Sequence, residues 1–219
     1  PPEPAPLAEF LRGLNFRRFL KEFGLENVAP SGPAIDRNQY HTITTSEGLA
    51  DIIERIQKAG RVSVDLETTS LSTLDAELVG IALAWDVGQA AYIPLGHDYA
   101  EVPQQLPKAA VLEALAPILE DPSFPKLGQN LKYEWQVLRK TSGINLDGVA
   151  CDTMLAAYLL EPGRRVGLDL LSEDLLGHKM LSFGQVTEGK DAGKGFALVE
   201  LEAATQYAAE DADVALRLA

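Results

Sequence analysis

Three short stretches of this 219-residue sequence concentrate side chains that could do chemistry. In RVSVDLETTSL, Val62, Val64 and Leu66 alternate with Ser63, Asp65 and Glu67. Alternate residues of a strand share a face, so Asp65 and Glu67 would project side by side. Acidic residues are poor strand formers, and two adjacent carboxylates repel unless water or a cation lies between them. The pair therefore reads in two ways, as a solvated strand end beside a turn or as two ligands of a metal ion. In YAAEDADVALRLA, Tyr207 and Asp211 are four residues apart and share a helix face. Ala208, Ala209 and Ala212 are small enough to let a neighbouring backbone approach, while Glu210 and Asp213 point elsewhere. Alone, that stretch reads as a helix with a solvated acidic face. The third stretch is GQNLKYEWQVL. Gln129 and Asn130 both donate and accept, Lys132 could meet a phosphate, and Tyr133 offers a ring on which a base could stack. Glu134 falls in a first helical turn, where a carboxylate also complements the helix dipole.

The elements around these stretches suggest how they are placed. HTITT reads as a strand, and SEGLADIIERIQKAG as a helix with Ser46 as N-cap and Gly60 as its stop. RVSVDLE, LVGIALAW and AAYIPL read as strands, the last two forming a hairpin across DVGQ. KLGQN, residues 126–130, reads as a short buried strand feeding a helix. Helices are expected over about 107–120, 131–141, 152–161, 168–177 and 199–218. A meander followed by alternation implies an α/β protein with a mixed sheet flanked by helices. Asp152 precedes an apolar helix and reads as its N-cap, outside any site. TEGKDAGKGF, residues 187–196, reads as a flexible polar loop. Upstream, Leu7, Phe10, Leu11 and Leu14, then Phe16, Phe19, Leu20 and Phe23, follow helical spacing, and APSGP at 29–33 reads as a linker. The compact domain should begin near Tyr40. The chain opens without a methionine and stops inside a helical pattern, so it reads as a piece of a longer polypeptide.

Composition excludes some classes and leaves one question open. No apolar run is long enough to span a membrane, and the first residues lack a signal-peptide pattern. One cysteine, Cys151, rules out an internal disulfide and fits a reducing compartment. His41, His97 and His178 are scattered without cysteine partners, against a zinc site. A net charge of −13 argues against tracking a nucleic-acid duplex. Clustered carboxylates holding divalent cations could still act on phosphodiesters.

Taken together, DLET, GQNLKYE and YAAED resemble, in order and rough spacing, the three exonuclease motifs of the 3′–5′ proofreading domain of bacterial family A DNA polymerases, the DEDDy class. CDTMLAAYLL, GLDLLSEDLLGHK and the segment around Phe183 resemble the same family. The resemblance covers about residues 40–219. Residues 1–39 then look like the helical tail of a preceding 5′-nuclease region with its linker. It implies a ribonuclease H-like fold and two-metal hydrolysis of the 3′-terminal phosphodiester, with Mg²⁺ or Mn²⁺ as cofactor. Asp65, Glu67 and Asp211 would hold the first ion, and Asp65 would bridge to the second. Tyr207 would orient the attacking water as a neutral phenol. Thr68, Leu71, Gln129, Asn130, Lys132, Tyr133, Arg165 and Phe183 would contact a single-stranded or frayed 3′ DNA end, with Leu71 as a wedge beside the terminal base. Core packing of Leu71 and Phe183, and a solvated face for Lys132 and Arg165, are the bland alternatives. The implied setting is a monomer in the bacterial cytosol, working beside a polymerase region of the same parent chain that would deliver the DNA.

The sequence departs from the family at one position. The second motif of that family ends in Asp, whereas here it ends in Glu134, one methylene longer and followed by the bulky Trp135. Because catalytic geometry is sensitive to shifts of about 1 Å, the first metal site should be intact and the second weakened or shifted. The expectation is a slow exonuclease. A scaffold or single-strand-binding module, and a ribonuclease D-like RNA exonuclease, are the competing readings.

Overall fold

The computed structural model describes residues 3–13, 16–25, 28, 34–187 and 195–219. Two helices open the chain, α1 (Pro4–Gly13) and α2 (Arg17–Glu22). Ala8, Leu11, Leu20 and Leu25 bury against one another as a small cluster. Phe10, Phe16, Phe19 and Phe23 stay exposed, so only part of the apolar spacing marks a buried face. Leu14 and the APSGP segment lie outside the described residues.

From Arg37–Gln39, a 3₁₀ turn capped by Asp36, the chain enters a six-stranded sheet. The strands are β1 (His41–Thr42), β2 (Val62–Thr68), β3 (Leu78–Asp86), β4 (Gln89–Pro94), β5 (Lys126–Gly128) and β6 (Val149–Asp152). Their spatial order is β1-β4-β3-β2-β5-β6. β2, β3 and β4 form the expected antiparallel meander, while β1 joins β4, and β5 joins β2 and β6, in parallel. The predicted mixed sheet is therefore present, although the first strand is shorter than HTITT. Between strands run α3 (Ser46–Ala59), α4 (Lys108–Leu119) and α5 (Leu131–Ser142), and α6 (Thr153–Leu160) follows β6 directly. The cap of α3 is Thr45, not Ser46: its hydroxyl accepts from the Gly48 N–H at 3.1 Å, and Ser46 is already helical. Gly60 ends α3 in the left-handed conformation, φ 70°.

After β6 come α7 (Leu168–Leu171), which widens into a π-turn at Ser172–Leu176, α8 (Phe183–Val186), a 3₁₀ turn at Gly195–Leu198 and α9 (Leu201–Leu218). The polar stretch 187–196 is corrected at its end. Residues 188–194 are outside the described set, but Phe196 is buried rather than part of a solvated loop.

The strand alternation fixes which layer each residue joins. Val62, Val64 and Leu66 face a core built with α3, α4 and α5. On the other face α9 crosses β2, β3 and β4. It comes close because Ala204, Ala208, Ala209 and Ala212 present little bulk, and all four are fully buried. Ser63, Asp65 and Glu67 face that helix, since successive strand residues alternate sides. The sheet thus carries its carboxylates directly beneath the helix that carries Tyr207 and Asp211.

Candidate active site

The site is assembled from the end of β2, the middle of α9 and the start of α5. β2 lies inside the sheet, where Asp65 pairs across from Ala82 and Glu67 from Gly80. Its register with β3 slips between Glu67 and Thr68, a bulge directly after the second carboxylate, past which Thr68 still pairs with Leu78. Gly80 is required opposite Glu67. A Cβ there would lie 2.0 Å from the Tyr92 hydroxyl, which crosses it from β4 to reach His97 Nε2 at 2.8 Å.

Carboxylate oxygens of Asp65, Glu67 and Asp211 all lie within 4.8 Å of one another. Glu67 is only 7% exposed, so the pair on β2 is not a solvated strand end. Burial pushes the Asp65 carboxyl up to about 7. Burial, then the charges of Asp65, Asp211 and Glu134, hold Glu67 well above the usual carboxylate range. Asp211 is raised by burial, then by Asp65, Glu210 and Asp169, and is partly relieved by a hydrogen bond with Tyr207. The Tyr207 phenol is in turn pushed up by burial and by Asp211, so it stays neutral at physiological pH. Its ring packs on Phe196, centroids 5.6 Å apart, and edge-on to Phe183 at 6.3 Å.

Glu134 is placed by the junction before it. Gly128 ends β5 where a Cβ would strike Leu131 and the Val64 carbonyl, and Asn130 then turns through the left-handed region, φ 61°. The expected cap for α6, Asp152, does more than cap α6. It accepts from Met154 and Leu155 at 3.0 and 3.2 Å and also from the Asn130 and Leu131 N–H groups at 3.1 and 2.8 Å, so one carboxylate anchors two helix starts. Glu134 follows on the inner face of α5, 4% exposed, and is no surface glutamate complementing a dipole. Burial raises its pKa first and Asp65 second, and its buried Oε2 has no hydrogen-bond partner. Trp135 turns outward and donates to Asn145 at 2.8 Å.

The remaining candidates separate into two sets. Leu71 is 95% exposed on the loop after the bulge, with Leu74 beside it in sequence at 83%, so neither is core packing; Phe183 is 48% exposed and stacks on the buried Phe196 ring, centroids 6.2 Å apart. Lys132 and Arg165 are exposed. Phe183 borders a cleft of about 480 Å³ that also touches Tyr207, Asp211, Asp169 and Lys179. By contrast, three polar candidates are engaged within the chain. Gln129 donates to the Val166 carbonyl at 2.7 Å and accepts from Thr153 at 2.6 Å. The Thr68 and Tyr133 hydroxyls meet at 2.5 Å, and Tyr133 also donates to the Ser70 carbonyl at 2.6 Å. Those contacts fix the loop that carries Leu71.

Sequence reasoning passed over Glu210, Asp213 and Phe196. Glu210 and Asp213 are fully buried in ion pairs, not on a solvated acidic face. Asp213 takes hydrogen bonds from Tyr40 at 2.8 Å and from the Gly88 N–H at 2.9 Å. For Phe196 the signal was the apolar run FALV closing a Gly- and Lys-rich stretch.

The Asp65, Glu67 and Asp211 set suits a hard divalent cation, with oxygens only, converging, desolvated and mutually repelling; Glu134, whose buried Oε2 has no hydrogen-bond partner, is not one of that converging group. A fold of this kind is shared by Escherichia coli ribonuclease D, whose structure superposes with a TM-score of 0.58 at 23% identity over 82% of this chain and 43% of that one. A family model described as 3′–5′ exonuclease matches residues 40–219, and the chain belongs to this metal-dependent 3′–5′ exonuclease domain family of DNA polymerase I. It is 39% identical over 231 residues to the DNA polymerase I of Pseudomonas aeruginosa, covering 99% of this chain and 25% of that protein. A structure described as the POL domain of Pol1 from M. smegmatis in complex with DNA primer-template and dNTP matches with a TM-score of 0.61 at 26% identity over 82% of this chain and 26% of that one. The chain thus spans about a quarter of the length of these polymerase relatives.

Proposed function

We propose that the chain removes nucleotides from the 3′ end of single-stranded or frayed DNA by metal-assisted hydrolysis, and so serves proofreading beside a polymerase region of its parent chain in the bacterial cytosol. The observation that carries this reading is the convergence of Asp65, Glu67 and Asp211 within 4.8 Å, with Tyr207 hydrogen-bonded to the last of them.

Asp65, Glu67 and Asp211 would hold one Mg²⁺ or Mn²⁺, and Asp65 with Glu134 would serve a second. Bound cations would lower the pKa of a coordinated water and neutralise charge on the leaving 3′ oxygen. The neutral Tyr207 phenol holds and orients that water, since a phenol this far raised cannot act as a base. Leu71 and Leu74, exposed on a loop pinned by Thr68 and Tyr133, part the terminal base from its neighbour. The Phe183 ring stacks on a base at the cleft, and Lys132 and Arg165 meet phosphates. Gln129 and Tyr133, whose polar atoms are engaged inside the chain, position the strand-to-helix junction rather than touch DNA. A net charge of −13 suits short single-stranded ends and not duplex. A scaffold without catalysis would not need a buried, unpartnered Glu134 oxygen facing a charged cluster.

The test is cleavage of 5′-labelled single-stranded DNA and RNA oligomers in Mg²⁺ by the parent chain, Asp211→Asn and Tyr207→Phe. A one-nucleotide ladder on DNA from the parent is expected, abolished in Asp211→Asn and slowed about a hundredfold in Tyr207→Phe, the scale of one lost transition-state hydrogen bond. No ladder from the parent in either Mg²⁺ or Mn²⁺ sinks the reading, and preferential cleavage of RNA redirects it to a ribonuclease D-like activity.

A further inference from the structure

The outer wall of the cleft, Lys179 to Phe183, contains an irregular stretch without strand or helix bonds to hold it. Much of its polar attachment converges on one buried carboxylate, Glu210. Glu210 is fully buried, and its Oε1 accepts from Arg37 Nη2 at 2.7 Å and from His178 Nε2 at 2.6 Å. Its Oε2 accepts from the Leu181 N–H at 2.8 Å. Arg37 also donates to the Lys179 carbonyl at 3.1 Å, and Ser172 holds the His178 carbonyl at 2.9 Å. Arg37 and His178 converge on one oxygen, which places Nη2 and Nε2 3.4 Å apart, and both nitrogens are donors to it. Glu210 directly precedes Asp211 on α9. The wall is therefore referenced to the helix that carries a carboxylate of the site.

We propose that Arg37, His178 and Glu210 form a clamp that positions the cleft wall and Phe183 against the site, setting affinity for the DNA end and leaving the hydrolytic step alone. This rests on the exonuclease reading above. The three are positioning residues: none is hydrogen-bonded to Asp65, Glu67 or Asp211, and Glu210 acts on Asp211 only through its charge. An ion pair that served stability alone would leave KM unchanged.

The experiment compares the parent with Arg37→Ala and with a control, Arg55→Ala, whose exposed pair to Asp51 is remote from the cleft. KM and kcat are measured on a single-stranded oligonucleotide in Mg²⁺, Mn²⁺ affinity by calorimetry, and amide exchange over residues 179–186. Arg37→Ala is expected to raise KM roughly tenfold, within the range for residues coupled in one hydrogen-bonded network, with kcat and Mn²⁺ affinity within about twofold of the parent and faster exchange across the wall. If Arg37→Ala melts below the assay temperature, Arg37→Lys is read by the same criteria. Unchanged KM, or a fall in kcat and Mn²⁺ affinity in its place, overturns the clamp. If the parent itself does not cleave, the exonuclease reading fails separately, and the clamp stands or falls on whether exchange at 179–186 rises.

Discussion

The crowding of buried carboxylates has a consequence for stability that can be worked through for one residue. Asp65 is raised from 3.8 to about 7 by burial. A carboxyl whose pKa is raised on folding holds its proton in the folded chain after the unfolded chain has lost it. Between pH 4 and 7 the unfolded state therefore binds fewer protons, and stability falls as pH rises. Three pKa units correspond to roughly 4 kcal/mol at 1.36 kcal/mol each, present below the unfolded pKa and gone above about pH 7. For a chain of this length that is roughly 8–16 °C in melting temperature. The perturbation is Asp65→Asn, which deletes the charge at nearly constant shape. The assay is thermal melting of parent and variant from pH 5 to 8, in chelator and in Mn²⁺. In chelator the parent is expected to fall progressively below the variant as pH rises, and Mn²⁺ is expected to lift the parent most at pH 8 and the variant little, because a ligand that binds only the folded state stabilises it by mass action. A parent that melts no lower than Asp65→Asn at pH 8 in chelator would refute the account of a strained, desolvated carboxylate. An equal Mn²⁺ response in both would refute its role as a ligand.

Other outcomes follow from the same contacts. Glu134→Asp, which restores the shorter carboxylate, is expected to raise kcat by roughly ten- to a hundredfold in Mg²⁺; equal rates for the two chains would show that the extra methylene is without effect. Asp152→Ala strips acceptors from the starts of both α5 and α6 and should cost roughly 2 kcal/mol, about one per lost cap, read as a lower urea midpoint at unchanged slope. Leu71→Ala should leave stability within about 0.5 kcal/mol, as an exposed side chain does, yet raise KM on duplexes with frayed 3′ ends; an unaltered KM there removes the wedge.

The sequence made the site legible where local periodicity does the placing. Strand alternation put Asp65 and Glu67 on one face, and the four-residue step put Tyr207 beside Asp211, because both patterns are fixed by backbone geometry alone. It was silent where the partner is far along the chain. Asp213 meets Tyr40 across 173 residues, and Glu210 meets Arg37, so the two acids were indistinguishable from solvated ones until the fold closed. The same limit applied to Gln129, whose amide could donate or accept anywhere until Val166 and Thr153 were found on either side of it. Ser46 and Thr45 both make good caps, and only the backbone conformation decides between them. Leu71 was singled out by resemblance alone, and its exposure sets aside the core-packing alternative.

Tyr92 reaches over Gly80 into space that any side chain at residue 80 would fill, on the strand position directly opposite Glu67. The two residues are therefore bound into a single heritable unit. A lineage that places a side chain at 80 must first shrink residue 92, and a lineage that shrinks 92 opens a void beneath a carboxylate of the site and takes from His97 Nε2 its hydroxyl partner. Substitution at either position alone passes through a damaged intermediate, so descendants of this chain should keep both residues or exchange both, and an alignment in which the two vary independently would contradict the packing.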